Sequence, residues 1–257
     1  DGEVVSADSM QIYRGMAIGT AAPTEAEMNG VPHHMVGVAD PREPYSAARF
    51  VEEATACVDD ILARGRLPIV VGGTGLYLDA LVSGRRFAAG SSESPTRRAL
   101  QARRDSEGIE ALYAELGRID PAAAARLHLK DEKRILRALE IYYETGQTIT
   151  EHDAQSRLQP PRYQAVYIGL SFEDRADLRT LIDARVDAMM AAGLADEVRA
   201  LLDAGVDRHS TALQAIGYKE LLSALNGERS LEEAAEEIKL RSRQYAKRQL
   251  TWLRRNK

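Results

Sequence analysis

Hydrophobic and polar positions alternate along this chain between two periods. Glu3-Val4-Val5-Ser6-Ala7 is a short apolar run with adjacent β-branched residues, which predicts a buried strand. Met35-Val36-Gly37-Val38-Ala39 and Pro68-Ile69-Val70-Val71 predict two more. From Ser46 to Gly65 the period changes: Phe50, Val51, Ala54, Cys57, Val58, Ile61 and Leu62 fall on one helical face, with Ser46 as N-cap and Gly65 as the stop. A second helix opens at Leu76. The order strand, strand, helix, strand, helix predicts an α/β fold, a parallel sheet flanked by helices.

Beyond Gly90 the pattern turns helical, with few β-branched residues. Gly90-Ser91-Ser92-Glu93-Ser94-Pro95 reads as a linker or a helix lead-in, followed by helices over 96–104, 108–117, 121–127 and 131–145. This stretch is read as a helical insertion, 91–161, within a core made of 1–90 and 162–257. Tyr163 to Leu170 predicts a strand rejoining the sheet. Helices are expected over 174–192, 195–205 and 211–226. A long last helix starts at the Ser230-x-x-Glu233 capping box and runs toward Arg255.

Candidate chemistry sits where these elements end. Asp8 follows the first strand, in the crevice where parallel sheets hold ligands, and is a candidate general base. It can equally cap a helical turn, as can Ser9. Gly72-Gly73-Thr74-Gly75 joins a strand to a helix start, which suits an anion: free N–H groups, no Cβ and the positive helix end. The alternative is a tight turn that needs glycine for positive φ. His33-His34 invites a metal, but a zinc site needs three or four ligands, and a structural pair at a strand entrance is the simpler reading. Cys57 lies on an apolar stripe and reads as packed and inert. Gln214, beside Gly217, is a weak polar signal.

Charge adds two surfaces. Lys133, Arg134 and Arg137 lie three and four residues apart on one helix face, either solvated or against phosphate. The last helix is acidic at first and then basic through Lys239, Arg241, Arg243, Lys247, Arg248, Arg254, Arg255 and Lys257, a run the helix dipole alone does not explain. With Gln244, Tyr245, Gln249 and Trp252 interleaved, it reads as a surface that tracks a nucleic-acid backbone with base-stacking groups, the alternative being a plain solvated face.

The 257 residues suffice for a sizeable core. The net charge of −5 argues against a uniformly basic coat but leaves room for local basic patches. One cysteine excludes an internal disulfide and suits a reducing compartment. No run of about 18 apolar residues and no signal-like amino terminus is present, so a cytoplasmic protein with no membrane partner is expected. Asp1-Gly2 lies directly before a buried strand, and residues upstream are expected.

Taken together, Ser6-Ala7-Asp8-Ser9-Met10-Gln11-Ile12-Tyr13-Arg14-Gly15-Met16, Ile18-Gly19-Thr20, Tyr45-Ser46-Ala47, Val71 to Tyr77, Ala215-Ile216-Gly217-Tyr218 and Gln244 to Trp252 stand in the order found in bacterial tRNA dimethylallyltransferases. The chain resembles that tRNA isopentenyltransferase family over nearly its whole length. The resemblance implies a P-loop-kinase-like core with a helical insertion. It implies transfer of a dimethylallyl group from dimethylallyl diphosphate to N6 of adenosine 37 in tRNA. It assigns Asp8 as general base, Thr74 as a diphosphate contact at the transfer site, and Gly72, Gly73 and Gln214 as diphosphate-binding. Asp8, Ser9, Met10 and Gln11 match the stretch on the extruded adenine, and Lys133, Arg134, Ile135, Leu136 and Arg137 an insertion segment on tRNA. Arg243, Gln244, Lys247, Arg248, Gln249 and Trp252 match the tRNA-contacting last helix. Mg²⁺ is implied by the diphosphate, with no protein metal ligands assigned, and a monomer is expected.

The sequence departs from the family in lacking its amino-terminal G-x-x-x-x-G-K-[ST] loop, in Ala22 where lysine is common, and in Gln214 where some members have arginine. The rival readings are a small-molecule P-loop kinase or adenylate prenyltransferase, and a non-catalytic RNA-binding fragment.

Overall fold

The computed structural model describes residues 1–85, 87, 94–158 and 160–255. It divides into two units, Asp1–Val82 with Gln164–Lys257, and Ser83–Tyr163. Gly90 to Glu93 of the expected linker, and Lys257, lie outside the described residues.

The first unit begins with β1 (Gly2–Ser6), α1 (Ala17–Thr20), α2 (Glu25–Met28), β2 (His33–His34), α3 (Ala47–Ala63), β3 (Leu67–Val71) and α4 (Gly75–Ser83). The three strands form a parallel sheet in the order β2-β1-β3, with Val4 opposite His33 on one side and Ile69 on the other. The helix expected after Ser46 forms as α3: the Ser46 hydroxyl accepts the N–H of Arg49, and Phe50, Ala54, Val58 and Ile61 are buried against β1 and β3. Gly65, at φ +70°, follows its end. Phe50 stacks on Tyr77 of α4 with ring centroids 4.0 Å apart. Burial raises the Cys57 thiol pKa, as expected of an inert cysteine.

Two expected strands do not form. The apolar pattern predicts the second over Met35–Ala39, but His33–His34 is the segment that pairs with β1. Met35 and Gly37 have φ of +63° and +61°, which extended backbone cannot accommodate, and Ala39 makes a single parallel bridge to Tyr13. The stretch from Tyr163 to Leu170 has the strand pattern yet is not part of the β2-β1-β3 sheet; Val166, Ile168 and Leu170 are exposed. Strand propensity is realised only against a partner edge, and among the described residues no strand is hydrogen-bonded alongside this segment.

The second unit is helical: α5 (Pro95–Glu107), α6 (Ile109–Ile119), α7 (Pro121–Ala124), α8 (Glu132–Thr145) and α9 (Ile149–Leu158). Its core comprises Leu100, Leu112, Leu116, Ile135, Leu136 and Leu139 with the alanines between them. Asp120 caps α7 through the N–H of Ala123 and accepts from both the N–H and the hydroxyl of Thr150 on α9. The sequence reading omits α9, although Thr148-x-x-Glu151 forms a reciprocal cap at its start.

The chain returns to the first unit with α10 (Arg175–Ala191), α11 (Leu194–Asp203), α12 (Tyr218–Leu225) and α13 (Leu231–Leu253). The single helix expected over 211–226 is broken into a 3₁₀ turn, Ala212–Gln214, and α12, because Gly217 takes φ +99° between them. At the start of α13, Ser230 and Glu233 form the anticipated capping box.

Candidate active site

The site is built at the carboxyl ends of β1 and β3. The N–H of Ala7 donates to the carbonyl of Val71 at 2.7 Å, and the N–H of Thr74 returns to the carbonyl of Ala7 at 3.3 Å. These bonds clamp the Asp8 and Gly72–Gly75 segments together. The Thr74 hydroxyl accepts the N–H of Ser9 at 3.0 Å and donates to the Ser9 hydroxyl at 3.3 Å. Asp8 and Thr74 therefore flank Ser9 at one edge of the sheet.

Asp8 is half-buried, and one of its carboxylate oxygens is engaged. Oδ1 accepts the N–H groups of Met10 at 2.7 Å and Gln11 at 3.2 Å. Oδ2 has no partner among the described residues. The capping role and a free oxygen thus coexist in one side chain. Gln11, by contrast, is spent internally: its amide nitrogen donates to the carbonyls of Thr20 and Ala21, and its amide oxygen accepts the Ser6 hydroxyl.

None of Gly72, Gly73 or Gly75 has positive φ, which removes the tight-turn explanation for them. They are glycines because other groups come too close. A Cβ on Gly72 would lie 2.4 Å from the Ala7 backbone, one on Gly73 1.8 Å from the Gln249 amide, and one on Gly75 2.4 Å from the Trp252 ring. The sequence resemblance places Gln249 and Trp252 on RNA; the structure turns both inward. Gln249 Nε2 donates to the Gly73 carbonyl at 3.2 Å, and Trp252 Nε1 to Asp79 at 3.0 Å. Tyr245 joins them, its hydroxyl 3.4 Å from the Gly73 carbonyl. Burial and the Asp8 charge raise its pKa, so it stays a neutral donor.

Other expected residues fall elsewhere. Gln214 donates to the carbonyl of Arg208 at 3.1 Å, within its own turn, and among the described residues no hydrogen bond joins it to Gly72–Thr74. Ile135 and Leu136 are core side chains of the second unit, 0% and 1% exposed, so their side chains cannot meet RNA. Arg137 bonds to the buried Glu140 at 2.9 Å, while Lys133 and Arg134 are exposed. On α13, Arg243 is paired with Asp183, whereas Gln244, Lys247 and Arg248 face solvent. The paired histidines are structural: His34 bonds to Glu3 and His33 to the Val31 carbonyl. Among the described residues no cluster of three metal-ligating side chains occurs, and no helix is long and apolar enough to cross a membrane.

Known families settle the lineage of this arrangement. The family model described as IPP transferase matches residues 11–256. The chain belongs to that family. It is 45% identical over 254 residues to a tRNA dimethylallyltransferase of Acetivibrio thermocellus, covering 99% of this chain and 81% of that protein. It is 49% identical to one from Geobacillus thermodenitrificans, covering 98% and 79%. Among solved structures, the full-length tRNA isopentenylpyrophosphate transferase of Bacillus halodurans is 45% identical with a TM-score of 0.68, over 98% of this chain and 78% of that one. A eukaryotic dimethylallyltransferase solved while acting on tRNA gives a TM-score of 0.82 at 34% identity, over 98% of this chain and 63% of that one. The small parallel sheet with its many helices is thus the family's P-loop-kinase-like α/β fold.

Proposed function

We propose that this IPP transferase moves a dimethylallyl group from dimethylallyl diphosphate to N6 of adenosine 37 in tRNA, with Asp8 as general base. The observation that carries this reading is the half-satisfied carboxylate of Asp8, next in sequence to the Ser9 that the Thr74 hydroxyl bonds. Oδ1 is fixed by two backbone N–H groups, so Oδ2 is held in place without a proton donor of its own. In the reaction N6 forms a bond to the allylic carbon as the bond from that carbon to the diphosphate oxygen breaks. The diphosphate leaves with the electron pair, and one N6 proton passes to Asp8 Oδ2. General-base help of this kind contributes about 10²–10⁴-fold. The adenine must first leave its stack, at a cost of a few kcal/mol.

The diphosphate is assigned to the Gly72–Thr74 turn and the amino end of α4, whose first turn carries no acidic residue. Gln214 is not part of that site in this arrangement. Mg²⁺ would enter this site with the diphosphate, since among the described residues no cluster of three metal-ligating side chains occurs to hold it alone. When bound it would neutralise charge on the leaving group; Thr74 orients that group and Asp8 takes the proton. Lys133, Arg134, Lys247 and Arg248 are the exposed cations assigned to the tRNA backbone, and the work of such an enzyme lies in the cytoplasm.

The test is direct. The complete protein is incubated with a tRNA anticodon stem-loop and dimethylallyl diphosphate, and the RNA is digested for mass analysis. A prenylated adenosine is expected, with tRNA affinity falling steeply as salt rises. Unmodified RNA, or affinity flat in salt, rejects the reading in favour of a small-molecule kinase or prenyltransferase.

A further inference from the structure

One carboxylate outside the candidate site is bonded in an unusual way. Glu197, half-buried on α11, reaches the start of α1, about 180 residues earlier in sequence. Its Oε2 accepts the N–H groups of Ala17 at 2.9 Å and Ile18 at 2.8 Å. Its Oε1 accepts the N–H of Gly19 at 3.0 Å and the Tyr218 hydroxyl at 2.5 Å. Three consecutive amides and a phenol thus converge on one carboxylate. Tyr218 is fully buried and comes so close to α1 that a Cβ on Gly19 would lie 2.4 Å from its ring.

A helix of four residues does not persist on its own. Met16, at its N-cap position, supplies no side-chain bond. Glu197 supplies the missing cap from another element. The carbonyl end of α1 then does something specific: Thr20 and Ala21 hold the amide of Gln11 at 3.1 and 3.2 Å. Gln11 in turn presents its backbone N–H to Asp8 Oδ1.

We propose that Glu197 is a positioning residue for Asp8, acting through α1 and Gln11. This rests on the reading of Asp8 as the general base. The carboxylate that takes the proton is held by a turn, the turn by a glutamine, the glutamine by two carbonyls, and those carbonyls by a helix that Glu197 closes. Glu197→Gln keeps the size but turns an NH₂ group toward amides that need an acceptor, so the relay loosens without leaving a cavity.

The experiment measures the complete protein in two ways. Backbone amide exchange is followed at residues 17–19 and separately at residues 10 and 11. In Glu197→Gln both sets are expected to exchange faster; a change at 17–19 alone would overturn the relay. In prenylation kinetics Glu197→Gln is expected to lower kcat about tenfold, with KM for both substrates within about twofold, because misplacement of a catalytic group falls on the chemical step. A rise in KM with kcat unchanged would also overturn it. In the double variant with Gln11→Ala, the loss should be no larger than that of the worse single variant; additive losses reject a shared path. If Glu197→Gln does not fold, Tyr218→Phe removes one of the four bonds and carries both measurements, with a smaller change in the same direction. A wild-type protein that fails to prenylate tRNA would reject the functional reading itself, whereas the exchange result stands apart from turnover.

Discussion

Two carboxylates, Glu3 at the start of β1 and Asp8 just beyond its carboxyl end, have opposite surroundings. Glu3 is 1% exposed and saturated: Arg64 bonds both of its oxygens, Arg66 donates at 2.8 Å and His34 lies 2.7 Å away. Asp8 is half-buried and has one free oxygen. The Arg64 guanidinium, with His34 and Arg66, pulls the Glu3 carboxyl far below its ordinary value. Glu3 thus fastens β1 to β2 and to the turn before β3, and has no capacity left for chemistry. Asp8 is fastened just enough to be aimed. In a parallel sheet the carboxyl edge is where the chain can leave a group unfinished, and the amino edge is where it is closed.

The variant expected to break this contrast most strongly is Asp8→Asn. The amide oxygen can still accept from Met10 and Gln11, so the local fold is expected to persist, with tRNA affinity within a few-fold. Turnover should fall by about 10²-fold or more, because the proton acceptor is gone. Retained turnover in single-turnover assays would take Asp8 out of the chemistry.

Glu3→Gln tests the other end. It leaves Arg64 and Arg66 facing a neutral group, and a clear drop in Tm is expected, while molecules that remain folded keep their turnover. The pH dependence has a definite sign. The folded carboxyl lies below its ordinary 4.5, so its stabilisation is complete above that pH and is lost as pH falls below it. Melting curves between pH 7 and 3 should therefore show a steeper loss in wild type than in Glu3→Gln. Parallel curves would mean that the cluster contributes nothing through charge.

How much of this the residues announced differs between the two ends. Asp8, Thr74 and the glycines are legible because strand, turn and helix start are local signals that follow one another in the chain. The closing of Glu3 is not legible: its partners come 31 to 63 residues later, and none stands out by spacing. Glu197 is hidden for the same reason, since one glutamate on an amphipathic helix reads as solvated. The inward turn of Gln249 and Trp252 is likewise a tertiary fact. Residues 242 to 252 carry bases and aromatics on every side, and only packing decides which side meets the glycine turn. Ile135 and Leu136 show the opposite case: the family resemblance groups them with Lys133 and Arg134, although the apolar spacing of α8 already sets them apart as core.

A finer change sharpens the Asp8 end alone. Tyr245→Phe removes a hydroxyl 3.4 Å from the Gly73 carbonyl while keeping the ring. Because burial and the Asp8 charge raise the pKa of that hydroxyl, it is a neutral donor whose removal should leave the pH profile of kcat unchanged, and kcat should fall only a few-fold. A loss as large as that of Asp8→Asn would move the proton-handling group from Asp8 to Tyr245, and kcat measured against pH would locate it.

The smallest effect asks whether saturation, rather than charge itself, separates structural from functional groups. α13 carries the same contrast in its lysines. Lys239 is held by Asp187 at 2.7 Å and Glu236 at 2.9 Å, whereas Lys247 is exposed and makes no ion pair among the described residues. Lys247→Ala is expected to weaken tRNA binding a few-fold and to reduce the slope of log affinity against log salt by about one. Lys239→Ala removes the same formal charge from the same helix, yet its charge is already balanced, so the slope should not move. Equal slopes for the two variants would show that the RNA responds to the summed field of the helix, and the rule drawn from Glu3 and Asp8 would not extend to its cations.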